Sequence, residues 1–343
     1  MAETPGLDLD RLRAYLDTNA PHLSGELTAT LVPGGRSNLT YFVHTPTMQY
    51  VLRRPPLGHV LTTAHDMARE HRVITALVNA EVRVPKSLLL CEDESVIGAP
   101  FYLMSKVEGT VFRTKQETAL LSEAGAKRVS VDLIETLARL HQVDPAAVGL
   151  EQFGKVEGFL ERQLARWQKQ LTSSNSREIK GASELATRLA TSMPKTKSSG
   201  VLHGDFRLDN CIINSELQVA AVVDWEMSTL GDCLSDVGLL AVYWDGIPGL
   251  PNSPVSGGIS AGRGFPSAAE LLHHYAISTG VDLDRIKWYT AFGFFKLSVI
   301  LEGIHFRYSK GQTVGSGFEE IGNWVEPLVG AGVDALSNDG VGK

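Results

Sequence analysis

The hydrophobic pattern of this chain changes period near Gly109, and that change limits the folds open to it. Before it, β-prone runs at 27–32, 39–44, 49–53, 87–91 and 100–106 are separated by turn residues such as Pro33-Gly34-Gly35 and Thr45-Pro46-Thr47. One long helical pattern interrupts them over about 63–79, with Met67, Ile74, Leu77 and Val78 on one side. A shorter one precedes them at 8–18. After Gly109 helices dominate, at 130–142, 159–171, 184–191, 234–244, 268–278 and 283–307. The pattern predicts an α+β fold in two parts. Residues 1–105 form a small antiparallel sheet carrying one long helix, and residues 106–343 form a mostly helical part. A length of 343 residues agrees, because single cores stop growing at roughly 250–300 residues. The stretch 246–266, rich in Gly, Pro and Ser, reads as a mobile loop, and 337–343 as a frayed end.

Composition narrows the setting. With 43% hydrophobic and 21% charged residues the chain is an ordinary globular one, not a disordered or fibrous one. A net charge of −7 argues against nucleic-acid and anionic-membrane partners, which select a basic face. The charge is uneven: residues 225–343 carry 13 acids against 7 bases, which reads as a solubilising surface or, alternatively, as one suited to a cationic or metal-bound ligand. No apolar run reaches the ~18–20 residues of a membrane helix, and residues 1–10 carry no signal-peptide core. Cys91, Cys211 and Cys233 are odd in number and widely spaced, which fits a reducing cytoplasm and no disulfide framework.

The most informative segment is VLHGDFRLDNCIIN at 201–214, followed by VAAVVDWE at 219–226. Two apolar runs around the turn Asn214-Ser215-Glu216 predict a β-hairpin, which returns the chain and brings Asp205 and Asn210 towards Asp224. Two carboxylates and an amide oxygen suit Mg²⁺, which takes oxygen ligands and keeps part of its shell for water and substrate phosphates. Asp205 is placed to accept a proton from an attacking hydroxyl, with Asn210 and Asp224 as metal ligands. A pair of turn acids with a hairpin-capping Asn explains one of these residues, but not the whole string.

The string His203-Gly204-Asp205 to Asn210, with Asp224-Trp225-Glu226, resembles the aminoglycoside phosphotransferase and choline kinase-like family, which shares the protein-kinase fold. Its fuller wording is most similar to the branch of kinase-like domains fused to acyl-CoA dehydrogenases. The resemblance covers nearly the whole chain. It implies a bilobal fold, ATP or another nucleoside triphosphate, Mg²⁺, and a small-molecule hydroxyl acceptor. It also implies a phosphate-covering turn at Gly34, Gly35, Arg36 and Ser37, and a phosphate-binding cation at Arg53 held by Glu70. Protein kinases place Lys at that strand position, and a register shift of one would put Arg54 there instead. Met104, Ser105 and Val107 fall where the family binds the adenine ring. Asp236 is expected to cap a helix and brace the catalytic loop, and His203 to be a buried brace.

Two other patterns carry no chemistry. The run Gly149 to Lys155 lacks the P-loop Ser/Thr, since Val156 stands there, and it follows no strand. His59, His65 and His71 recur every six residues, which does not keep them on one helical face as a zinc site requires. The resemblance to that branch implies a hydroxyacyl-CoA or related metabolite as acceptor; helix packing explains most aromatics of the helix 283–307, and a residual apolar wall with Lys296 and Arg307 would suit an acyl chain and an anionic head. An aminoglycoside is the alternative. A catalytically silent nucleotide-binding module is the reading from another class; Arg53 favours it, and intact Asp205, Asn210 and Asp224 oppose it.

Overall fold

The computed structural model describes residues 5–32, 38–57, 65–174, 177–245, 262–311 and 318–337. The chain divides into two compact units. One comprises Met1–Gly109 with Ala220–Ser228, the other Thr110–Val219 with Thr229–Lys343. The first break falls four residues after the expected one, and the segment carrying Asp224 belongs to the first unit, not the second.

The first unit is a five-stranded antiparallel sheet of order β1-β2-β3-β5-β4, with strands Thr28–Leu31 (β1), Leu39–His44 (β2), Gln49–Arg54 (β3), Ser87–Cys91 (β4) and Phe101–Ser105 (β5). Helix α1 (Leu9–Asn19) precedes the sheet, and α2 (Met67–Asn79) lies between β3 and β4. Strand β3 is central, and its residues from Tyr50 to Arg54 are all buried. Alternation then sorts them by face. Tyr50 and Leu52 join Leu12, Leu16, Phe101 and Leu103 in one cluster, where each fully buried side chain contributes about 1.5–3 kcal/mol. Arg53, on the other face, meets α2. That helix starts at Met67 and not at residue 63 as its pattern suggested, because the Asp66 side chain accepts from the Arg69 N–H and caps it. Glu70, Val73, Ile74 and Leu77 form its buried stripe. Segment 220–228 is tied into this unit by Val222 N–H donating to Arg83 C=O and by Arg69 donating to Ser228 C=O.

The second unit contains α3 (Lys115–Thr118), α4 (Glu123–His141), α5 (Phe159–Ser173), α6 (Ala182–Thr191), β6 (Ser199–Leu202), β7 (Cys211–Ile213), the start of β8 (Val219–Val222), β9 (Thr229–Asp232), α7 (Leu234–Asp245), α8 (Ala268–Thr279), α9 (Ile286–Ser309) and α10 (Val325–Ser337). Strands β6 and β9 pair antiparallel. Helices α7 and α9 pack so closely that a Cβ on Gly238 would lie 2.5 Å from the Tyr289 backbone. Helix α10 was not expected. Pro327, Gly330 and Gly332 lower its helix propensity, but Val325, Leu328 and Val329 bury against the unit's core, and packing overrides propensity. The loop read at 246–266 lies mostly outside the described residues; 262–266 lead into α8. Among the described residues no helix is long and apolar enough to cross a membrane.

Candidate active site

The loop between β6 and β7 alternates. His203, Phe206, Leu208 and Asn210 are buried, while Asp205, Arg207 and Asp209 are only partly so. The apolar members anchor the loop and the charged ones are left to face outward together. Gly204 adopts φ +85°, a left-handed turn that a side chain would resist. The loop is clamped from α7 and α9. Asp236, in the first turn of α7, accepts from the backbone N–H of His203 at 2.7 Å and of Gly204 at 2.9 Å. Lys296 of α9 donates its Nζ hydrogen to Gly204 C=O. His203 is fully buried, and its Nδ1 accepts from the Asp205 N–H at 3.2 Å, a brace as expected. Asp236 braces too, but it does not cap α7: both its oxygens go to the loop. Asp232 is the residue whose side chain accepts from the Leu234 N–H.

Asp205 is enclosed by donors. Tyr243 donates to Oδ1 at 2.5 Å, and Asn210 Nδ2 donates to Oδ2 at 3.1 Å and to the Asp205 carbonyl at 2.9 Å. Arg207 Nε lies 3.4 Å from the same Oδ2 and 3.1 Å from Asp209 Oδ1. Burial alone would raise the Asp205 pKa, but Arg207, Lys296 and the Tyr243 hydrogen bond outweigh it and hold the carboxyl below its ordinary value. Asp209, beside the same Arg207, is pushed up by burial and by Asp205. Two neighbouring carboxyls are thereby shifted in opposite directions, Asp205 down and Asp209 up.

The first unit builds a different cluster around Arg53. Its Nε lies 3.0 Å from Glu70 Oε2, its guanidinium also bonds Asp224, and Glu226 Oε2 is 3.7 Å away. Tyr102, opposite Arg53 in the β3–β5 register, donates its hydroxyl to Glu70 at 3.0 Å. Asn38 Nδ2 donates to Glu70 and Glu226, each at 3.0 Å, and Asn38 Oδ1 lies 2.8 Å from His65 Nδ1. Burial opposes the Arg53 charge, but Glu70, then Asp224 and Glu226, raise its pKa beyond the usual arginine value. Glu70 is raised by burial despite Arg53. Asp224 has φ +71°, a left-handed backbone uncommon for a residue with a Cβ.

The structure thus joins Arg53 with Glu70 and with Asp224, and joins Asp205 with Asn210. It assigns Asp224 to one unit and Asp205 and Asn210 to the other. Arg54 is not the partner of Glu70: it donates to Gly6 C=O and Ile97 C=O on the other face of the sheet. Gly34, Gly35, Arg36 and Ser37 lie outside the described residues. Met104 is buried in β5, and the Ser105 backbone N–H is already committed to Lys86 C=O at 2.8 Å, so it is not available to an adenine ring. Helix packing accounts for most of the α9 aromatics. Trp288, Tyr289, Phe292 and Phe295 of α9 are buried in the core. Tyr243 escaped the sequence reading because α7 is apolar on most sides and a tyrosine there reads as packing. Its spacing of seven from Asp236, two turns along one face, is the signal that marks it.

A model of the phosphotransferase enzyme family matches residues 28–285. The rat protein "Acyl-CoA dehydrogenase family member 11" is 35% identical over 95% of this chain. The chain spans only 43% of that relative's length. A solved structure from Ralstonia eutropha, provisionally described as an aminoglycoside phosphotransferase, superposes with a TM-score of 0.84 at 32% identity, covering 96% of this chain and 98% of that one. Aminoglycoside phosphotransferase APH(4)-Ia, in ternary complex with ADP and hygromycin B, gives 0.62 at 14% identity over 97% and 99% of the two chains, a likeness of fold alone.

Proposed function

Because the chain belongs to the phosphotransferase enzyme family, we propose that it transfers the terminal phosphoryl group of ATP, or another nucleoside triphosphate, to a hydroxyl of a small molecule. The observation that carries this reading is Asp205, a carboxylate kept ionised by Arg207, Lys296 and Tyr243 and so ready to take the acceptor's proton. The same observation weighs against a silent module, which has no use for a base held in its charged form. Arg53, steadied by Glu70, binds nucleotide phosphate together with Gly34, Gly35, Arg36 and Ser37, while Met104, Ser105 and Val107 border the adenine.

The donor set fits Mg²⁺. Asp224 supplies a partly exposed carboxylate, a hard oxygen donor of the kind this ion takes. The Asn210 amide nitrogen faces Asp205, which turns Oδ1 into the ligand end. Asn210 and Asp224 would hold the ion, which when bound neutralises charge on the phosphates. Because the transition state is loose, the protein contributes positioning and charge more than covalent chemistry.

For the acceptor, the 35% likeness to an acyl-CoA dehydrogenase family member supports a hydroxyacyl-CoA or a related hydroxylated metabolite. The 32% likeness to the Ralstonia structure supports an aminoglycoside as the second reading. Cys91, Cys211 and Cys233 are buried free thiols, which suits a reducing cytoplasm. Thermal-shift titration with ATP and Mg²⁺ tests the reading, followed by ATP consumption with hydroxyacyl-CoAs, aminoglycosides and amino alcohols. A Mg²⁺-dependent shift is expected; none would sink the phosphotransferase reading. Turnover with aminoglycosides alone would reverse the order of acceptors.

A further inference from the structure

Helix α7 reaches the catalytic loop twice, with Asp236 on the backbone and, two turns later, with Tyr243 on the Asp205 carboxylate itself. The second contact is not needed to hold the loop, which Asp236 and Lys296 already clamp. Nor is it needed to hold the carboxylate, whose Oδ2 has Asn210 and Arg207. What Tyr243 does is occupy Oδ1. A neutral O–H donating to this carboxylate is the bond that an attacking hydroxyl must make before it gives up its proton. The phenol is no nucleophile itself, since burial and the Asp205 charge push its pKa well above the usual tyrosine value. It is also well fixed. Arg207 lies 5.0 Å over its ring, and the ring packs against the cluster containing Leu239, Val242 and Leu297.

We infer that Tyr243 is a stopper on the acceptor side of Asp205: its hydroxyl holds the place of the acceptor hydroxyl on Oδ1 and keeps water from it. A true acceptor has contacts along its whole length with which to displace the phenol. A water molecule has only one equivalent hydrogen bond to offer and does not displace a fixed one. The inference rests on the phosphotransferase reading and deepens it, because it explains how a nucleotide is spared from hydrolysis while no acceptor is bound. In the wasteful reaction, a water oxygen forms the new bond to the terminal phosphorus. The bond to the diphosphate oxygen breaks with its electron pair leaving on that oxygen, and the water proton passes to Asp205.

Tyr243→Phe removes the hydroxyl and keeps the ring under Arg207. Release of inorganic phosphate from ATP and Mg²⁺ without acceptor is compared in the wild type, Tyr243→Phe, Tyr243→Leu and the double variant Asp205→Asn/Tyr243→Phe. Nucleotide affinity and thermal midpoint are measured alongside. Phosphate release is expected to rise ~10-fold or more in both single variants at unchanged nucleotide affinity, and to vanish in the double variant. A merely structural role would lower the rate. Release at or below the wild-type rate, from a single variant that binds ATP normally, overturns the stopper while leaving the phosphotransferase reading intact. A wild type showing no Mg²⁺-dependent ATP shift overturns both. Should Tyr243→Phe not fold, Tyr243→Leu decides alone.

Discussion

The two units surround their buried charged groups differently. Around Asp205 donors close in on the carboxylate: Arg207 and Lys296 bear on it, and Tyr243 and Asn210 donate to it. Around Arg53 it is the cation that is surrounded, by the carboxylates of Glu70, Asp224 and Glu226. The first arrangement suits a group held in one place until an acceptor arrives. The second suits a centre completed by a cation brought with the substrate. On the proposed roles, a base and an ion site would differ in what surrounds the carboxylate more than in the carboxylate itself.

The strongest test of this contrast removes one acid from each centre. Asp224→Ala is expected to abolish phosphoryl transfer and the Mg²⁺-dependent part of nucleotide binding, as read by calorimetric titration. Asp205→Asn is expected to lower transfer by about 10²–10⁴-fold while nucleotide binding is spared. Equal loss of nucleotide affinity in both variants would erase the distinction.

Next in size is Arg53→Met, which leaves Glu70 without its buried cation. Breaking a buried pair from one side costs about 3–5 kcal/mol, so chemical denaturation should show a loss of that order. Added Mg²⁺ should recover part of it if the centre accepts a cation. A smaller effect probes the second unit without touching charge. Gly238→Ala drives a Cβ into the Tyr289 backbone and should cost about 1–3 kcal/mol, with the Asp205 centre disturbed only through the α7–α9 contact.

The smallest effect is on pH dependence and belongs to the first unit. Burial, and for His65 the Arg53 charge, depress the pKa values of His65 and His71. A histidine depressed in the folded state binds protons more readily when unfolded. Its stabilising contribution is therefore present above the unfolded value of about 6.5 and is lost as pH falls below it. The thermal midpoint should drop between pH 7 and pH 5, less steeply in His65→Asn. An unchanged slope in that variant would remove His65 from the account.

Much of this was legible in the sequence, for identifiable reasons. Strands β2 and β4 fall where the alternation and turn residues put them. The loop motif names Asp205 and Asn210 because chemistry constrains every residue in it. The choice between Arg53 and Arg54 was not legible: it depends on which face of β3 meets α2, and adjacent residues with the same side chain carry no sign of that. Tyr243 and α10 were hidden for a shared reason. Both are decided by packing at long sequence separation, which local propensity does not record.

The chain passes between its two units at residues 109–110, 219–220 and 228–229. Neither unit is therefore a contiguous cassette. A fragment ending at Gly109 would lack Asp224 and the buried indole of Trp225, and would strip Arg53 of an ion-pair partner. Gene-level shuffling that joined one such N-terminal piece to a foreign partner would have to bring a matching nine-residue insert, Ala220–Ser228, with it. Inheritance of the centre is in that sense all or nothing.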